Sequence, residues 1–281
     1  CIRDRYGREK QMTEWNTMAA EILAKVRDTK VLVHNVTNYV VMNSTANVLL
    51  AAGASPVMAH AQEEVAEMAS LAGAVVLNIG TLSPAWVTAM EMAGTAANRR
   101  GTPVVLDPVG SGATEYRTRT ARRLARELDI AVVRGNASEI LSMSGLDTVT
   151  KGVDAAHDVD EAARVAVQLA ENLGSVVAIT GEVDLVTDGR TVLRISAGHP
   201  LMGRVTGTGC ASTALVGAFC AGHSNATAAA AGALAFFGLA GERAAETAHG
   251  PGSFQVALYD ALAALEPDDV SSAERIQEIG A

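Results

Sequence analysis

Aromatic residues are scarce, with Phe, Trp and Tyr making up 4% of 281 positions. The core must therefore be assembled from Ala, Val, Leu, Ile and Met, which suits close helix–sheet packing. Cysteine is scarce too. Cys1, Cys210 and Cys220 form neither a disulfide framework nor a metal-ligand spacing, and they fit a reducing cytoplasm. Cys220, between Phe219 and Ala221, reads as a small buried apolar residue. No apolar run reaches the roughly 20 residues that span a bilayer. The longest, 226–240, is mostly alanine interrupted by glycine and reads as a buried core helix. A basic footprint is also missing, since the formal net charge is −9. The cluster Arg117, Arg119, Arg122, Arg123 and Arg126 is interleaved with Leu124 and Leu128, and reads as the solvated face of a helix. Neither a membrane nor nucleic acid is expected as a partner.

The residues that are abundant specify a fold class. The hydrophobic fraction is 49%, enough for a large core and for buried subunit contacts. Apolar runs at 31–33, 56–59, 74–80, 103–106, 130–134 and 176–180 read as strands. Helical patterns at 15–27, 43–50, 62–71, 84–98, 117–127 and 160–172 lie between them, and a hairpin at 184–195 turns at Asp188-Gly189. Three more helices are expected at 211–222, 226–249 and 252–265. Residues 34–38 and 145–157 read as loops, and 1–12 and 266–281 as poorly ordered ends of a single domain, 1–281. Strands alternating with helices predict an α/β fold, with a mostly parallel central sheet and helices on both faces. Ligands of such sheets bind beyond the carboxyl ends of the strands.

Polar residues gather at those ends. Val205-Thr206-Gly207-Thr208-Gly209-Cys210 precedes a helix. Its glycines let the backbone approach a ligand, and the first free amides of the helix point toward an anion. The thiol of Cys210 stands where a helix dipole favours the thiolate. An ordinary Gly-rich loop has the same local appearance. Asp107 ends a strand before Pro108 and either holds magnesium or caps its own turn. Asn136 and Glu139 have capping-box spacing, and with Arg134 just ahead they also suit magnesium and phosphate. Thr180-Gly181-Glu182 offers a hydroxyl and an amide to a nucleotide, or is a plain turn. Asn35, Asn38, Met58 and Cys210 could line a small-molecule pocket, although a methionine such as Met58 is more often core than ligand contact.

The runs 45–58, Asn78-Ile79-Gly80-Thr81, Leu106-Asp107-Pro108-Val109-Gly110, 134–140, 180–184 and Gly207-Thr208-Gly209-Cys210 resemble hydroxyethylthiazole kinase. The resemblance covers about residues 30–265 with the blocks in family order. It implies a ribokinase-like fold and a homotrimer with active sites at subunit interfaces. It implies transfer of the ATP γ-phosphoryl group to the hydroxyl of 4-methyl-5-(2-hydroxyethyl)thiazole, with Mg2+, in thiamine salvage. Met58 and Gly207 would contact the thiazole, Arg134 and Thr180 the ATP, and Glu139, Asn136 and Asp107 would serve the magnesium. The Gly207–Cys210 amides, Gly209 among them, would hold the transferring phosphate. Cys210 occupies the position where many related kinases carry an Asp base. The stretch 34–38 varies within the family, and Ser111 stands where Ala is frequent. A kinase of another small alcohol, such as a hydroxymethylpyrimidine, is a competing expectation, as is a nonenzymatic ligand-binding protein. A thiol hydrolase lacks a clear partner for Cys210, because His199, the nearest histidine in sequence, precedes Pro200.

Overall fold

The computed structural model describes residues 2–144 and 159–280. Cys1 and the loop expected at 145–157 lie outside them.

Nine strands form one sheet in the order β2-β1-β3-β4-β5-β6-β7-β8-β9. Strands β1 (Leu32–Val36), β2 (Ser55–Val57), β3 (Ala74–Asn78), β4 (Val104–Asp107), β5 (Val132–Asn136) and β6 (Val176–Thr180) run parallel. Strands β7 (Asp184–Thr187), β8 (Val192–Ile195) and β9 (Ile276–Glu278) add an antiparallel edge. The parallel strands read as continuous apolar runs because both faces are covered. Val33, Val76, Val105 and Val132 pack under α1 (Ile2–Thr29), α2 (Met42–Ala52), α8 (Thr208–Gly222), α9 (Ala226–Thr247) and α10 (Pro251–Ala264). Val75, Leu77, Leu106, Val133 and Val177 pack under α3 (Val65–Leu71), α4 (Pro84–Arg99), α5 (Glu115–Glu127), α6 (Ala137–Met143) and α7 (Val159–Leu173).

The run expected to be a core helix is α9, capped by Asn225 and buried almost throughout from Thr227 to Gly241. No described helix is long and apolar enough to cross a membrane. Cys220 is buried in the α8 core, as its neighbours implied.

Four expectations need correction. His34 and Asn35 belong to β1 rather than a loop, because β3 pairs with both and β2 also pairs with His34. Residues 2–12, expected to fray, continue as part of α1. The chain beyond Glu266, expected to be irregular, folds into α11 (Pro267–Ser272) and then β9, which extends the sheet beside β8. The arginines of α5 do not form one solvated face. Arg119 is exposed, but Arg122 donates to the Ser142 carbonyl and Arg117 to three backbone carbonyls just past the carboxyl ends of β3 and β4.

Candidate active site

A cleft of about 390 Å³ opens at the carboxyl ends of the parallel strands, where the start of α8 meets them. It brings together Asn38, Asp107, Arg134, Asn136, Glu139, Gly207, Gly209 and Cys210. Three expected site residues do not line it. Asn35 is buried in β1 with its amide donating to the Val33 carbonyl, and Met58 sits half-buried just past the edge strand β2. Thr180 lies behind Arg134 and accepts from its guanidinium.

Gly207 is the N-cap of α8 with φ +85°, a left-handed conformation that side chains disfavour. A Cβ there would also lie 2.7 Å from the Val41 side chain. No side chain caps this helix start, and the helix begins at Thr208 rather than 211. The amides of Thr208, Gly209 and Cys210 therefore form its unpaired first turn. Gly209 faces Arg134, since a Cβ on it would be 3.0 Å from Nη1.

Asp107 is fully buried. Its Oδ2 accepts from Asn78 Nδ2 at 2.7 Å and from Thr213 Oγ1 at 2.8 Å, while its Oδ1 has no hydrogen-bond partner. Burial pushes the carboxyl up to about 6, against the pull of Arg134. Asn78 Oδ1 in turn accepts from Asn38 Nδ2 at 2.8 Å, and Asn38 Nδ2 also approaches Cys210 Sγ at 3.5 Å. A buried chain thus runs from the Cys210 thiol to the Asp107 carboxylate.

The helix start does not favour a thiolate at Cys210. Burial pushes the thiol up to about 11, and the nearby Asp107 adds to the rise. The loss of water outweighs the Asn78 and Asn38 hydrogen bonds and Arg134, so the group stays a thiol at neutral pH.

The capping reading of Asn136 and Glu139 is realised. Asn136 Oδ1 accepts from the Glu139 amide, and Glu139 Oε2 accepts from the Asn136 amide. Glu139 Oε1 accepts from the Gly110 amide at 2.8 Å, which ties the loop after β4 to α6. Both residues still line the cleft, so the cap aims Glu139 rather than excluding a second role.

Asn78, Thr213 and Arg117 are not among the site residues expected from the sequence. Asn78 carries a signal, a polar residue closing an otherwise apolar strand. Thr213, inside an Ala-rich helix, carries none. His199 accepts from the Leu201 amide and stacks on Phe254, and it does not line the cleft. The described structure therefore supplies no histidine for a thiol hydrolase at Cys210.

The model of the hydroxyethylthiazole kinase family matches residues 23–268. A hydroxyethylthiazole kinase of Desulfotalea psychrophila is 55% identical, over 96% of this chain and 99% of its own length. The structure of a hydroxyethylthiazole kinase protein from Pyrococcus horikoshii superposes with a TM-score of 0.86 at 45% identity, covering 93% of this chain and 98% of that one. A ribokinase-like superfamily protein of Enterococcus faecalis, at 14% identity and a TM-score of 0.62 over 82% of this chain and 86% of its own, shares the fold alone. The fold is ribokinase-like, and the chain belongs to the hydroxyethylthiazole kinase family.

Proposed function

We propose that this protein transfers the γ-phosphoryl group of ATP to the hydroxyl of 4-methyl-5-(2-hydroxyethyl)thiazole, as a salvage step toward thiamine in the cytoplasm. One observation carries the reading. The uncapped start of α8 faces Asp107, Arg134 and Glu139 across a single cleft. Family membership supplies the choice of alcohol.

Phosphoryl transfer asks mainly for positioning and charge stabilisation. The Thr208, Gly209 and Cys210 amides bind the migrating phosphoryl oxygens, and Arg134, steadied by Thr180, pairs with the triphosphate. The alcohol oxygen forms a bond to the γ-phosphorus while the bond to the bridging oxygen of ADP breaks. The Cys210 sulfur accepts a hydrogen bond from the hydroxyl and aims it. A protonated thiol is a poor base, so the hydroxyl proton leaves late, once the new P–O bond has made it acidic, and passes to solvent. A loose transition state tolerates this order.

The donor set fits magnesium. Asp107 Oδ1 is a buried oxygen without a hydrogen-bond partner, Glu139 lies nearby, and both residues line the cleft with Asn136. Among the described residues no group of three or more His, Cys, Asp or Glu could cage a metal. One or two carboxylates plus waters and phosphate oxygens are what magnesium accepts. When bound, the ion would neutralise charge on the phosphate oxygens.

A homotrimer with sites completed between subunits belongs to the same proposal. Val40 exposes apolar surface at the cleft, next to the exposed Tyr39, and Asn35 and Met58 lie outside the part that one chain forms. Light scattering of the purified protein tests the assembly. The function is tested by incubating the protein with ATP, magnesium and either the thiazole alcohol or hydroxymethylpyrimidine. Phosphorylated thiazole with stoichiometric ADP is expected. Phosphorylation of the pyrimidine alone, or no ADP with either alcohol, would overturn the reading.

A further inference from the structure

Arg117 lies on α5, and its guanidinium reaches the loops that follow β3 and β4. Nη1 donates to the Ile79 carbonyl at 3.0 Å and to the Val109 carbonyl at 2.7 Å, and Nη2 donates to the Gly80 carbonyl at 2.8 Å. The same two peptide units act on the site through their other ends. The Val109–Gly110 peptide presents its N–H to Glu139 Oε1 at 2.8 Å, and the Ile79–Gly80 peptide presents its N–H to Asn78 Oδ1 at 3.0 Å. In a trans peptide the C=O and N–H point in opposite directions. A donor that fixes the carbonyl therefore fixes where the amide aims.

We propose that Arg117 is a positioning residue for phosphoryl transfer. It orients the Ile79–Gly80 and Val109–Gly110 peptides so that their amides hold Asn78 and Glu139 in place. Through Asn78 the effect reaches both Asp107 and Asn38, and through Asn38 it reaches Cys210. The surrounding geometry is built for this contact. A Cβ on Gly110, at φ +73°, would press on Arg117 Cδ at 3.2 Å, and a Cβ on Gly80 would lie 2.5 Å from Asn38 Nδ2. At Gly110 the left-handed φ favours glycine beside Arg117, and at Gly80 a side chain would collide with Asn38. Without the guanidinium, three carbonyls facing one locus lose their donor, and either peptide can rotate its amide away from the site. Outer contacts that orient metal-binding carboxylates typically carry 10- to 100-fold in affinity or activity.

This role rests on the kinase reading above, and the test separates the two. Arg117→Met, Arg117→Lys and the parent are compared for turnover, magnesium titration, melting temperature and amide exchange at 79–81 and 109–111. Because Nη1 alone serves both relaying peptides, a lysine ammonium can replace its two bonds. Arg117→Met is expected to lower kcat about 10- to 100-fold and raise the magnesium needed for half-maximal rate about tenfold. KM for the alcohol stays within about threefold and exchange at Gly80 and Gly110 accelerates, while Arg117→Lys recovers most of kcat. Parental kcat and magnesium demand in Arg117→Met overturn the role, as does a loss that follows the melting temperature and is not recovered by lysine. If the parent itself phosphorylates no alcohol, the kinase reading fails, and amide exchange alone decides whether Arg117 fixes the two peptides.

Discussion

The side-chain amide of Asn38 lies 3.5 Å from the sulfur of Cys210 and points its N–H at it. The sulfur is therefore an acceptor in the resting site, and burial with the nearby Asp107 keeps its proton on. Cys210→Ala is expected to lower kcat roughly tenfold, while Cys210→Asp keeps or raises it, since a carboxylate ionises more readily than this thiol. Parental kcat should change by no more than about twofold between pH 7 and 9, well below a thiol pushed up to about 11. A steady rise with pH across that range would identify the thiolate as the reacting form. Ala and Asp variants that both match the parent would remove Cys210 from the mechanism.

Asp107 offers a linkage test. Its folded-state value is raised to about 6, mainly by burial. The proton is thus held more tightly in the folded than in the unfolded chain. The stability this contributes is full below the unfolded value of 3.8 and is lost as pH rises through about 6. Asp107→Asn should abolish turnover. In chelator at pH 7.5 it should raise stability, by on the order of 2–3 kcal/mol at most. Denaturant melts of both proteins at pH 5 and 7.5 measure this. A variant less stable than the parent at pH 7.5 would contradict the burial argument.

Glu139 accepts from two backbone amides, and a glutamine can keep only one of those bonds without turning its NH2 against the other N–H. Glu139→Gln is expected to raise the magnesium requirement about tenfold and to cost about 1 kcal/mol from the weakened cap. Calorimetric affinity for the thiazole alcohol should survive. An unchanged magnesium titration would leave Glu139 with its capping role only.

Gly209 sits in helical backbone that alanine can adopt, yet its Cβ would crowd Arg134 Nη1 at 3.0 Å. Gly209→Ala should displace the guanidinium and raise KM for ATP roughly three- to tenfold, with the melting temperature unchanged. Initial rates over an ATP series decide this. An unaltered KM would separate Arg134 from the nucleotide.

Much of this was legible in the chain itself. Unbroken apolar runs separated by helical periods specified a parallel sheet covered on both faces, because only a strand buried on both sides can dispense with alternation. Polar residues closing those runs, Asp107, Arg134 and Asn136 among them, marked the end of the sheet where the cleft opens. Two glycines beside a helix start marked the turn that leaves α8 without a side-chain cap. Folding decided what depends on distance in three dimensions. It determined that Cys210 keeps its proton, because that reflects burial and the charge of Asp107, 103 positions away. It turned Arg117 inward to two loops, and it recruited the final residues as an edge strand paired with β8. Local propensity cannot report these outcomes, since hydrogen bonding and burial at each depend on partners brought close only by tertiary packing.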